Sequence, residues 1–160
     1  MKALLTSFRP HKMKTDDNHP VRILLVDDNK LGLMARQMIL EDAGYGVTIA
    51  QSGEEAWETF QKTQFDIVVT DFRMGGMDGL QLIRMIRESN SPARIVLLSG
   101  FAGCLGMTPE SSGADEVLVK SNKEVPELLR AVRHLSTQPA RRAPASATPA
   151  RLVKRKSNAS

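Results

Sequence analysis

The sequence predicts an α/β protein: a doubly wound, five-stranded parallel sheet with helices on both faces. Two observations predict it. Five apolar runs of four to six residues recur along the chain: "VRILLV" (21–26), "VTIA" (47–50), "DIVVT" (66–70), "RIVLLS" (94–99) and "EVLV" (116–119). They are rich in β-branched and aliphatic residues and lack strict alternation, as suits strands buried on both faces. Between them lie segments whose apolar residues recur at helical spacing, and strands that alternate with helices build parallel βαβ units.

Each element has its own signal. The first strand runs straight into two adjacent acids, Asp27 and Asp28. Leu31, Met34, Ala35 and Met38 then mark a helix by their spacing, and Gly44 follows as its stop. After the second strand, Ser52 with Glu55 three residues on forms a capping-box signature, and Ala56 and Phe60 continue that helix's inner face. Leu82, Ile83 and Ile86 mark the third helix, with Asp78 as its expected N-cap. The fourth is expected to be short or irregular. "FAGCLGMTPESSG" holds Gly103, Gly106 and Pro109, and an interior Gly costs ~1 kcal/mol and Pro ~3 relative to Ala. Val125, Leu128, Leu129, Val132 and Leu135 mark the last helix, with Pro126 tolerable in its first turn. Trp57 and the methionines read as packing residues.

Composition bounds the rest. The 160 residues are enough for one domain with a full core, and 41% are hydrophobic with only 4% aromatic, so aliphatic side chains must fill that core. A single cysteine, Cys104, excludes an intrachain disulfide and a cysteine-based zinc site. Neither Cys104 nor the three histidines fall in a pattern. No apolar run approaches the ~20 residues of a membrane span, and the opening segment lacks a clear secretory cleavage site. A cytoplasmic location is expected. The net charge of +4 averages three regions. Residues 1–20 carry four basic and two acidic side chains, and residues 21–135 carry 12 basic and 16 acidic. Residues 136–160 carry six basic and no acidic ones, in an Ala/Pro/Ser/Thr-rich context without apolar period. The expected organisation is a disordered arm (1–20), one folded domain (21–135) and a disordered basic tail (136–160).

In open parallel sheets, ligands bind beyond the carboxyl ends of the strands. Those ends carry Asp27 and Asp28, Asp71, Ser99 and Lys120. Three carboxylates together repel unless a cation sits among them, and an open cluster of hard oxygen donors suits Mg²⁺. A divalent cation beside a lysine is a phosphoryl-transfer environment. No Gly-rich phosphate-binding lysine loop is present, so a bound nucleotide triphosphate is not suggested. The nucleophile is then a protein carboxylate, and Asp71 is the best placed. Taken singly, each residue also has a plain reading: Asp27 and Asp28 as a solvated turn, Ser99 as a turn hydroxyl, Lys120 as a surface lysine.

Four motifs in order, "VDD" (26–28), "TDFRMGGMDG" (70–79), "LLSG" (97–100) and "GADEVLVK" (113–120), make residues 21–135 resemble a response-regulator receiver domain of two-component signalling. The resemblance implies a flavodoxin-like sheet of strand order 2-1-3-4-5. It implies that Asp71 is the phosphoacceptor, that Asp28, Asp71 and the backbone carbonyl of Arg73 ligate Mg²⁺, and that Asp27 acts through a metal-bound water. Lys120 would pair with the phosphoryl oxygens and Ser99 would hydrogen-bond the phosphoryl group. The donor would be a histidine kinase or phosphotransfer protein, and the readout contact with a downstream protein. Slow self-dephosphorylation is expected, with Phe101 screening the acyl phosphate from water.

Three positions depart from the family pattern. Gly75 stands where Pro is usual, which broadens the loop's conformations. Ser121 follows Lys120 where a cis Pro is usual, so the bond is either trans or strained. Val117 replaces the usual switch aromatic. These departures keep open a pseudo-receiver acting as a constitutive binding module. An aspartate-nucleophile phosphohydrolase is a third reading, weakened because Arg73 stands where a second acid is expected. The tail fits no helix-turn-helix, so sequence-specific DNA binding is not expected. The tail reads as a solubilising, unstructured end, or its charges could contact nucleic acid or an anionic surface.

Overall fold

The computed structural model describes residues 19–100, 106–139 and 141. Phe101, Cys104 and nearly all of the terminal arm and tail lie outside them. The elements alternate as expected: β1 (Arg22–Val26), α1 (Lys30–Asp42), β2 (Gly46–Ala50), α2 (Gly53–Lys62), β3 (Ile67–Asp71), α3 (Gly79–Glu88), β4 (Arg94–Ser99), α4 (Pro109–Ser112), β5 (Glu116–Val119) and α5 (Glu124–Thr137). All strand pairs are parallel and the sheet order is β2-β1-β3-β4-β5, the doubly wound arrangement expected from the sequence.

Successive strand residues point to opposite faces, and both faces are dry. Leu24, Val26, Val68, Ile95 and Leu97 pack with Ala56 of α2 and Leu82, Ile83 and Ile86 of α3. Ile23, Leu25, Ile67, Val69, Val96 and Leu98 pack with Leu33 and Leu40 of α1 and Leu128, Ala131, Val132 and Leu135 of α5. This two-sided burial is why the strands lack polar alternation.

The caps match the sequence signals with one adjustment. Asp78 accepts from the Gln81 N–H and completes a capping box on α3. Ser52 accepts from the Glu55 N–H, but the Glu55 carboxylate reaches back to the Gln51 N–H rather than to Ser52. Pro109 opens α4, which Gly113 closes in the left-handed conformation after four residues, so the described part of the fourth connection is short, as expected. Trp57 stacks on Phe60 with ring centroids 6.0 Å apart.

The first helix corrects the sequence reading. Leu31, Met34 and Met38 are 81%, 47% and 70% exposed, and Ala35 is exposed beside them. The face turned to the sheet is Leu33, Arg36 and Leu40. Helical spacing offered two stripes about half a turn apart, and the buried one is interrupted by an arginine.

Candidate functional site

The parallel register brings the chemistry to one edge. Asp71 is the last residue of β3, paired across to Leu98 of β4, while Ser99 ends β4 opposite Val119 of β5. Asp27 and Asp28 follow β1 directly. One carboxylate oxygen from each of Asp27, Asp28 and Asp71 lies within 4.8 Å of the others. Lys120 Nζ lies 3.0 Å from Asp71 Oδ1 and 3.6 Å from Asp27 Oδ2. Asp27, Asp71 and Ser99 are buried, and Asp28 faces solvent. The Lys120 N–H donates to the Ser99 carbonyl, so the strand ends bearing the hydroxyl and the ammonium are locked together. Arg73 is exposed and lines an open depression with Asp28, Met74 and Gly75.

Burial pushes the Asp71 carboxyl above the ordinary aspartate range. Lys120 opposes that rise and the Asp27 charge adds to it. An acid cluster with one open, solvent-facing side and hard oxygen donors fits a small divalent cation.

The loop after β3 is tied at several points, contrary to the looseness that Gly75 suggested. The Gly75 N–H donates to Asp28 Oδ2 across a long 3.4 Å, a bond that proline cannot make. The Met77 N–H donates to Glu54 Oε1 at 2.8 Å, and this bond holds the Glu54 carboxyl below its ordinary range. Gly76 has φ +77°, and a Cβ there would meet Glu54 Oε1 at 2.6 Å. The first turn of α2 therefore clasps the loop that carries Arg73. Among the described residues no peptide bond is cis, so Lys120–Ser121 is trans. Ser121 Oγ instead accepts from the Lys123 N–H and turns the chain toward α5. Val117 is half-buried against the core cluster on the α2–α3 side of the sheet.

Arg36 is the residue that sequence reasoning missed. It is buried, its Nη1 lies 2.6 Å from Asp27 Oδ2, and its Nε donates to Glu124 Oε1 at the start of α5. Burial works against its charge, but Glu124 and then Asp27 outweigh that and raise its pKa further. The available signal was a cation at position i+3 of the stripe Leu33, Arg36, Leu40. The remaining oxygen of Asp27, Oδ1, accepts from the Asn29 N–H at 2.9 Å.

Comparison with known proteins agrees with this geometry. The family model described as "Response regulator receiver domain" matches residues 23–133. The response regulator receiver protein CpdR of Brucella abortus is 34% identical over 100 residues, covering 62% of this chain and 82% of that protein. The gliding motility regulatory protein of Myxococcus xanthus is 33% identical over 124 residues, covering 72% of this chain but 15% of that protein. The chain likewise spans less than half the length of several other curated relatives. Among solved structures, the response regulator TrrA of Thermotoga maritima, in complex with Mg²⁺-BeF, superposes with a TM-score of 0.64 at 34% identity, covering 71% of this chain and 97% of that one.

Proposed function

This chain belongs to the response regulator receiver domain family, and on that premise we propose that Asp71 accepts the phosphoryl group and that the signal leaves by protein contact. The observation that carries the reading is a buried carboxylate, pushed toward greater basicity, with an ammonium 3.0 Å away and two further carboxylates within 4.8 Å. The donor in this reading is a phosphohistidine on a histidine kinase or phosphotransfer protein. An Asp71 oxygen attacks phosphorus; the P–O bond forms, the P–N bond breaks, and the imidazole leaves with the bonding pair and takes up a proton.

Each neighbour has a share. Lys120 stands where it can turn from Asp71 Oδ1 to a phosphoryl oxygen attached to it. Ser99, at the next strand end, would donate a hydrogen bond to the phosphoryl group. Asp28, Asp71 and the Arg73 carbonyl would hold Mg²⁺, with Asp27 contributing through a water. Bound there, Mg²⁺ supplies charge neutralisation to the phosphoryl oxygens. The acyl phosphate then carries ≈ −1.5 to −2 charge where the Asp71 carboxylate carried −1, beside two further carboxylates, and relief of that added repulsion biases a two-state loop. Arg73 in place of a second acid leaves self-hydrolysis without a general base, so dephosphorylation is slow. The intact acid cluster and its lysine count against a pseudo-receiver. In this reading the chain meets its phosphoryl donor in the cytoplasm; among the described residues no helix is long and apolar enough to cross a membrane.

The direct test is incubation with Mg²⁺ and acetyl phosphate. A gain of about 80 Da, for one phosphoryl group, is expected by intact mass and is lost in Asp71→Asn. Labelling that persists in Asp71→Asn would overturn the assignment.

A further inference from the structure

The charge bookkeeping of the acid cluster depends on a cation that comes from inside the protein. Arg36 reaches Asp27 Oδ2 at 2.6 Å, and Lys120 is 3.6 Å from the same oxygen. Asp27 Oδ1 is occupied by the Asn29 N–H. Asp27 is thus compensated twice before any metal arrives, and its lone pairs are largely committed.

The space for this arginine is built. Side chains on a helix lean toward its N-terminus, over the residue one turn earlier. For Arg36 that residue is Gly32, where a Cβ would sit 3.1 Å from Arg36 Nη1 and 3.7 Å from Asp27 Oδ2. A glycine inside a helix is unfavourable by ~1 kcal/mol relative to alanine, and here it leaves the path open for the guanidinium. At the far end Glu124 Oε1 accepts a hydrogen bond from the Nε–H, and the Glu124 side chain is only 15% exposed. The guanidinium spans the seam between α1 and α5, with one carboxylate of the cluster at one end and one outside it at the other.

We infer that Arg36 is an internal competitor for the divalent cation, lowering the acid cluster's metal affinity, and that Glu124 sets the strength of that competition by sharing the guanidinium charge. The inference rests on reading the cluster as the Mg²⁺ site, and it concerns affinity rather than the identity of the phosphoacceptor. A fixed positive charge beside one of three carboxylates opposes a second cation by simple Coulomb repulsion. Its partner Glu124 offsets part of that repulsion. The two residues should therefore act with opposite signs, a pattern that loosened packing would not produce.

The test is Mg²⁺ binding to the unphosphorylated full chain by calorimetry, with Mn²⁺ binding by electron paramagnetic resonance as a second readout and a thermal melt to establish folding. Arg36→Gln is expected to bind Mg²⁺ about tenfold more tightly, and Glu124→Gln about three- to tenfold more weakly, for charges acting at this range through a part-polar medium. Arg36→Lys, which keeps the charge, should stay within about twofold of wild type by the same argument. The double variant should return toward wild type. If Arg36→Gln does not fold, weaker binding by Glu124→Gln with wild-type-like binding by Arg36→Lys still supports the inference. Equal weakening in Arg36→Gln and Glu124→Gln, or no change in either, would overturn it while leaving the phosphoacceptor reading intact. No Mg²⁺ binding by the wild type or any variant overturns both.

Discussion

Replacing Asp71 by Asn should make the domain more stable at neutral pH without divalent cations. The magnitude follows from the neighbours. At an effective dielectric of about 20, two carboxylate oxygens within 4.8 Å of each other repel by at least roughly 3.5 kcal/mol. Asp28 is exposed, so its repulsion of Asp71 is nearer the water value of about 1 kcal/mol. Lys120, 3.0 Å away, attracts by roughly 5.5 kcal/mol at the same dielectric, less a discount for its partial exposure and for its sharing with Asp27. Attraction and repulsion nearly cancel, and the desolvation of a buried carboxylate is left over. Asn removes that residue of cost, so a gain of about 1–2 kcal/mol is expected, or roughly 4–8 °C in Tm for a domain of this size.

The pH dependence has a definite sign. Burial raises the Asp71 pKa in the folded state, so folding favours the protonated form. The corresponding stability is fully present below the ordinary aspartate range and is lost as pH rises through the raised value. Wild type therefore carries that cost where Asp71 is ionised, and the gap to Asp71→Asn closes on acidification. Urea melts followed by circular dichroism at pH 7.5 and at successively lower pH measure both effects. Added Mg²⁺ should stabilise the wild type by mass action and narrow the gap. A less stable Asp71→Asn at neutral pH, or a gap independent of pH, would refute the reasoning.

Three other variants test the scaffold. A Cβ at Gly79 would lie 2.4 Å from the Asp71 carbonyl oxygen, so Gly79→Ala should cost about 1–3 kcal/mol in urea melts and slow phosphorylation by displacing Asp71. Burial would raise the Asp115 pKa, but the Ile95 N–H and Arg87 outweigh it and hold it below the ordinary range; its stabilisation is present above that range and lost as pH falls through the folded value, so Asp115→Asn should flatten the acid limb of a stability–pH profile. On α1, Leu33→Ala should cost about 2–5 kcal/mol, whereas Leu31→Gln and Met38→Gln should stay within about 0.5 kcal/mol. Equal losses at all three would restore the stripe that the sequence suggested.

What could be read in advance divides along physical lines. The strands were legible because burial on both faces leaves an uninterrupted apolar run, and Asp71 and Lys120 because a parallel sheet must deliver strand ends to one edge. The inner face of α1 was not legible. Its pattern of Leu33, Arg36 and Leu40 contains a charge, and that charge is tolerable inside only because Asp27 and Glu124 meet it. Glu124 lies 88 residues away along the chain, and no local period reveals such a pairing. The loop after Asp71 misled in the same way: Gly75 and Gly76 speak of freedom, while the restraint comes from Glu54 on another helix.

The three acids look equivalent in sequence, and the fold makes them unequal. Asp28 is relieved by water. Asp27 is relieved by Arg36, by a share of Lys120 and by the Asn29 N–H. Asp71 is buried with the other share of Lys120 and a backbone contact from Phe72, which falls short of its desolvation. The uncompensated charge of the cluster is thus concentrated on one carboxylate. A carboxylate held in that state is more basic than an ordinary aspartate, and greater basicity makes a better oxygen nucleophile. The same deficit makes any arriving cation or electrophilic phosphorus most favourable there. In the proposed function, the preference for Asp71 over Asp27 as phosphoacceptor comes less from its position in a motif than from where the remaining charges of the fold have been spent.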